Sequence, residues 1–188
     1  MRILAIDPGS EQSAWLVYDT IEAAPCRRDG ELEGAIYQNQ ALAKMLAHMR
    51  WRAPEMAEVL AIERIASYGM AVGRTVFDTA WWAGRFCEAW DNTFVRIERR
   101  TVKLHICGSG RAKDANIRQA LIDRFPATGG GKVPQVGTRK CPGPLYGVKA
   151  DLWSALAIAI TAAETEAPVP APADCDEEVS CDTGVTDG

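Results

Sequence analysis

Short apolar runs that stop at a carboxylate recur along this chain. Residues 2–7 (RILAID) are apolar up to Asp7, and Pro8, Gly9 and Ser10 then break the run, the pattern of a buried strand entering a turn. Trp15–Asp19 (WLVYD) predicts the returning strand. After a polar, glycine-containing interval, Gly34–Gln38 (GAIYQ) predicts a third, which completes an antiparallel meander. Gln40–Arg50 sets Leu42, Met45, Leu46 and Met49 on one helical face. Glu58–Glu63 (EVLAIE) is a fourth apolar strand, again ending on an acid. A helical pattern rich in Trp and Phe fills residues 69–90, with Gly69, Gly73 and Gly84 as weak points, and Thr93–Glu98 (TFVRIE) predicts a fifth strand. Asp114–Phe125 reads as a short amphipathic helix, residues 126–147 as a loop, and Val148–Glu164 as an Ala-rich helix. A meander followed by alternating helices and strands predicts an α/β fold, a mixed five-stranded sheet flanked by helices.

With 188 residues and 47% hydrophobic content, a single domain over residues 1–164 has enough apolar material for a core. Residues 165–188 combine prolines and acids with almost no large apolar groups, and are expected to be a disordered acidic tail. No run approaches the roughly 18 apolar residues of a membrane span, and the first residues lack the blocks of a signal peptide. The expectation is a soluble cytoplasmic protein with no membrane partner. The six cysteines have no CxxC spacing and are read as free thiols.

The net charge of −4 hides a segregation. Seven acids and no Lys or Arg lie in Thr165–Gly188, so residues 1–164 hold 21 basic against 18 acidic side chains. Arg96–Lys140 alone holds eleven basic residues and three acids. Such a stretch suits a polyanion, whose counterions are released on binding, although a solvated basic face has the same composition.

Asp7, at the end of a buried strand and before Pro-Gly, is held where a turn leaves open space. Glu63 repeats the device, and the two converge if strands one and four are neighbours. Asp151 opens the last helix. Hard divalent cations take oxygen ligands and keep several waters, so a few carboxylates on rigid elements could hold two ions with room for a phosphate. Each acid also has a plainer role: Asp7 as a turn former, Glu63 as a partner of Arg64, Asp151 as a first-turn acid favoured by the helix dipole.

The stretches LAIDPGS (4–10), LAIERI (60–65), VKLHICGSGRAKDANI (102–117) and KADLWSALAIAI (149–160) resemble, in order, the motifs of RuvC-type Holliday-junction resolvases of the ribonuclease H-like superfamily, bacteriophage members included. The resemblance implies a homodimer that binds a four-way DNA junction and nicks two opposed strands, using Mg2+ or Mn2+. It carries the metal-binding acids onto Asp7, Glu63 and Asp151. Cellular members have a further aspartate three residues along the last helix, where this chain has Ser154, a hydroxyl without charge. The alternatives are therefore a three-carboxylate nuclease, a protein that binds junctions and cuts them poorly, or a nuclease of this fold acting on other branched DNA or hybrids.

By the same resemblance the DNA-contacting candidates are Lys103, Arg111 and Lys113, with Arg99 and Arg100 close in sequence, Arg74 on the long helix and Lys149 in the last motif. The family has a lysine where this chain has Asp114. Tyr68 is the candidate for stacking on an unpaired base at the junction centre. Trp81 and Trp82 are read as packing, in the core or across a dimer interface. His48 is read as structural, and His105 as a phosphate contact or a support of the site.

Overall fold

Side chains alternate between the two faces of the central strand, and both faces are covered. In the computed structural model, which describes residues 1–49, 56–66, 69 and 71–165, β1 (Arg2–Asp7) is buried from Ile3 to Ile6. Ile3 and Ala5 join one core while Leu4 and Ile6 join a second. β2 (Gln12–Asp19) returns antiparallel with Asp7 opposite Ala14. The two-residue strands β3 (Ala24–Pro25), β4 (Arg27–Arg28) and β5 (Glu31–Leu32) follow, and β6 (Gly34–Gln38) pairs with β2, Gln12 opposite Gln38.

α1 (Asn39–Met49) leads toward β7 (Val59–Arg64), which lies parallel to β1 with Ile6 opposite Ile62. α2 (Arg74–Trp90) then crosses to β8 (Phe94–Glu98), parallel to β7 with Glu63 opposite Ile97. α3 (Arg99–Cys107), α4 (Asp114–Arg124) and α5 (Leu152–Thr165) complete the described helices. The sheet order is β3-β2-β1-β7-β8, with β6 also on β2. The mixed sheet expected from sequence is present, with the short β3 as a sixth strand. One core packs the sheet against α3, α4 and α5, the other against α1 and α2.

Three differences from the sequence pattern have physical causes. β2 begins at Gln12 rather than Trp15, because its pairing with β6 extends the ladder beyond the apolar run. The long helix starts at Arg74, after the glycines. α3 follows β8 without an intervening residue, so the strand's hydrophobic rhythm and the helix's merge in the sequence; only Val102 and Ile106, four apart, are buried in it. The last helix reaches Thr165, and the expected tail beyond it lies outside the described residues. Among the described residues no helix is long and apolar enough to cross a membrane. Cys26, Cys87, Cys107 and Cys141 are free thiols.

The segment 126–147 contains no helix, yet it is knitted by its own backbone. Gly129 N donates to Pro134 O at 2.8 Å, Gly130 N to Cys141 O at 2.9 Å and Leu145 N to Gln135 O at 2.8 Å. Gly143 is packed so tightly that a Cβ there would lie 2.2 Å from the Pro134 carbonyl oxygen. Arg27 fastens the end of the segment, donating to the carbonyls of Pro144 and Tyr146.

The turn after Asp7 is fixed by a closed polar ring. The Gly9 N–H donates to Ser13 Oγ (3.1 Å), Ser13 Oγ to Asn39 Oδ1 (2.7 Å) and Asn39 Nδ2 to Gly9 O (2.9 Å). Ser13 and Asn39 are fully buried, so each lost bond strands a polar group away from water. Asn39→Ala is expected to lower unfolding free energy by about 1–3 kcal/mol, read by urea denaturation; an unchanged midpoint would show that the ring does not hold the turn.

Candidate active site

Register brings the first two carboxylates together. Asp7 and Glu63 each lie one residue beyond the paired Ile6 and Ile62, on the face shared by Ala5 and Ala61, which is the face α5 covers. Asp151 stands in the turn before α5, where its carbonyl accepts from Ser154 N (3.0 Å) and Ala155 N (3.1 Å). The preceding Ala150 has φ +45°, a left-handed conformation that costs a non-glycine residue about 1–2 kcal/mol. One turn in, the Ser154 hydroxyl lies near enough to Asp7 to favour its ionised form.

The electrostatics of Asp7 record this convergence. Burial, and next the negative charge of Glu63, push its carboxyl up to about 7; Asp151 adds to the rise, while Arg99 and the Ser154 hydroxyl oppose it. Burial also raises Glu63 despite the cations of Arg99 and Lys103. Glu63 is bound not by Arg64, which pairs with Glu98, but by Arg99, whose Nη1 lies 3.0 Å from Glu63 Oε2. The other fork of Arg99 reaches Asp114 Oδ1 at 2.6 Å. Arg99, expected on a phosphate-contacting surface, is thus engaged inside the carboxylate site.

The chemistry of these donors fits a hydrated Mg2+ or Mn2+. Asp7, Glu63, Asp151 and Ser154 offer only hard oxygen atoms. Among the described residues no three acid, imidazole or thiol groups are gathered closely enough to enclose an ion. Mg2+ asks for less, since it keeps several waters and takes one or two carboxylates together with phosphate oxygens.

A groove of about 680 Å³ runs from this point between α4 and α5, lined among others by Asp114, Arg118, Val133, Lys149, Asp151 and Ser154. Lys149 is exposed beside Asp151. Lys103 is half-buried and acts on Glu63 through its charge. Arg100 packs along Gly110, and Arg111 and Lys113 are exposed at the start of α4, where the Lys113 N–H donates to Asn116 Oδ1. Arg74 is on α2 and pairs with Asp78. Tyr68 lies outside the described residues. His48 is exposed at the end of α1. His105 faces away from the acids and meets Glu164 at 2.5 Å, some 20 Å along α5 from Asp151 at the usual helical rise.

Sequence reasoning missed Arg118, which lines the groove with its guanidinium 5.2 Å from the Trp153 ring centre. It also missed Lys132, Arg139 and Lys140, exposed on the knitted segment that contributes Val133 to the groove. The available signal was the stretch 124–150, which contains no acid.

Among solved structures the chain is similar to RuvC from Thermus thermophilus, with a TM-score of 0.58 and 17% identity over 91% of this chain and 100% of that one. It is similar also to T. thermophilus RuvC in complex with a Holliday junction substrate, with a TM-score of 0.57 and 17% identity over 87% and 93% of the two chains. No protein-family model and no curated protein matches the sequence. The fold is therefore RuvC-like, within the ribonuclease H-like architecture.

Asp7 gives the site a pH signature. Its folded-state value of about 7 lies above the ordinary 3.8, so protonated Asp7 contributes stability that is fully present below the ordinary value and is lost as pH rises through about 7. Near pH 8 without divalent ions the ionised group costs at most about 4 kcal/mol. Asp7→Asn is expected to melt above the wild type there, with the gap closing toward about pH 4. A wild type that melts higher than Asp7→Asn in chelator near pH 8 would contradict the crowding of charge.

Proposed function

We propose that this protein is a divalent-metal-dependent endonuclease that cuts branched DNA, four-way junctions foremost, as a homodimer. The observation that carries the reading is the register that sets Asp7 beside Glu63, with Asp151 within electrostatic reach of Asp7, on a RuvC-like fold. Relatedness of fold to a protein captured on a Holliday junction supports the substrate class.

A bound Mg2+ or Mn2+ would supply Lewis-acid charge to the phosphodiester and make the attacking water more acidic. Asp7, Glu63 and Asp151 would hold it. Ser154, whose hydroxyl favours the ionised Asp7 carboxyl, brings no fourth negative charge. The groove beside Asp151 gives the strand a path, with Arg118 and Lys149 along it and Lys132, Arg139 and Lys140 on the adjoining segment to meet phosphates. Arg100, Lys103, Arg111 and Lys113 extend the basic surface on the α3–α4 side.

Two symmetric nicks require two sites. α2 offers a face for the second copy: Phe77 and Trp81, one turn apart, are 63% and 56% exposed, and only Phe86 and Trp90 of that helix are buried. Trp82 stacks on Phe86, and Arg85 lies over both tryptophan rings, 5.0 and 5.1 Å from their centres.

Wild-type protein with Mg2+ or Mn2+ is expected to nick a synthetic four-way junction, and Asp7→Asn to lose at least about a hundredfold in rate while still shifting the junction in a gel. Junction binding without cleavage by the wild type would point instead to a binding protein, and preference for flap, duplex or hybrid in competition to another substrate. In sedimentation velocity the wild type is expected to run as a dimer and Phe77→Glu/Trp81→Glu as a folded monomer. A monomeric wild type at micromolar concentration would remove the dimer from the proposal.

A further inference from the structure

Arg99 occupies an unusual place for a surface-derived arginine. It is the first residue of α3 and directly follows β8, whose parallel register with β7 puts Ile97 opposite Glu63. The backbone therefore brings this side chain within reach of Glu63. Its guanidinium spans two carboxylates of different character: Glu63, nearly buried, at 3.0 Å, and Asp114, whose side chain is 76% exposed, at 2.6 Å. Asp7 lies within its electrostatic reach. A guanidinium does not give up its proton, so this positive charge cannot be removed by a change of protonation.

From this geometry we propose that Arg99 is a built-in counterion of the carboxylate site, which a divalent cation must displace from Glu63 and which then remains on Asp114. The proposal rests on the metal-dependent reading above and adds to it what governs metal occupancy. Without a metal, buried Glu63 needs a cation, and Arg99 supplies it. A metal approaching Glu63 competes with that bond and meets like charge. Asp114 gives the displaced guanidinium a solvent-facing partner, so the exchange need not leave either charge unpaired. Free protein would accordingly hold metal weakly, and occupancy would rise when a phosphodiester adds oxygen ligands and its own negative charge. Metal loading would thus be tied to the presence of the nucleic acid.

The test is Mn2+ binding to metal-free full-length protein without DNA, measured by isothermal titration and by the loss of the free Mn2+ signal in electron paramagnetic resonance. Arg99→Gln is expected to bind Mn2+ at least about tenfold more tightly than wild type, equivalent to ~1.4 kcal/mol. Lys103→Gln, which removes a charge that acts on Glu63 without a hydrogen bond or ion pair to it, is expected to change affinity by less than about threefold. If Arg99→Gln does not fold, Arg99→Lys carries the test: an ammonium lacks the fork that spans both carboxylates, and a gain of at least about threefold is expected. Unchanged or weaker Mn2+ binding by these variants, while wild-type binding still depends on Asp7, would overturn the counterion and leave the nuclease reading intact. Absence of any Asp7-dependent Mn2+ binding in wild type and variants would overturn both.

Discussion

The parallel pairing of β1 with β7 is the constraint on which the rest of the molecule depends. Its register places Asp7 beside Glu63 and turns both toward the face that α5 covers. A slip of one residue would send Glu63 to the opposite face, among α1 and α2. The pairing is secured from both sides by apolar residues that are essentially inaccessible to water: Leu4, Ala5, Ile6, Leu60, Ala61 and Ile62. The acids are thus held at the rim of a core that cannot readily shift, and the Gly9–Ser13–Asn39 ring ties down the turn that follows Asp7.

Around that frame, charge is arranged with little slack. Asp7 is half-buried beside two other acids, and the charge of Arg99 and the hydroxyl of Ser154 temper it. A serine in that place leaves the site one negative charge poorer than a fourth carboxylate would, while Arg99 and Lys103 add positive charge on the Glu63 side. The acid-free stretch 124–150 contributes Val133 and Lys149 to the same groove.

Much of this was legible in the sequence because it is local. RILAID and VLAIE read as buried strands, their terminal acids as rim residues, and the Ala-rich last helix as a core element, since each rests on a rhythm of a few residues. What depends on distant pairing was not legible. The partner of Glu63 is Arg99, 36 residues away, rather than adjacent Arg64. α3 leaves no boundary in the hydrophobic pattern because no turn residue separates it from β8. The segment 126–147 read as a loop because its order comes from backbone bonds among glycines and prolines, which leave no side-chain rhythm. His105 stood near the basic motif in sequence, yet its helix faces it toward Glu164.

The burial of α5 on nearly every side has a consequence for how such a chain can change over time. From Leu152 to Ala162 almost every residue is packed, against β1 and β2 as well as α3 and α4. Inserting or deleting one residue within it would rotate Asp151 and Ser154 by about 100° relative to everything downstream. Point replacements of similar size are tolerable there, whereas length changes are not. Diversification in length is thereby channelled away from the helix and into the connections before it, where new surface contacts can be tried while the spacing of the acids is inherited intact.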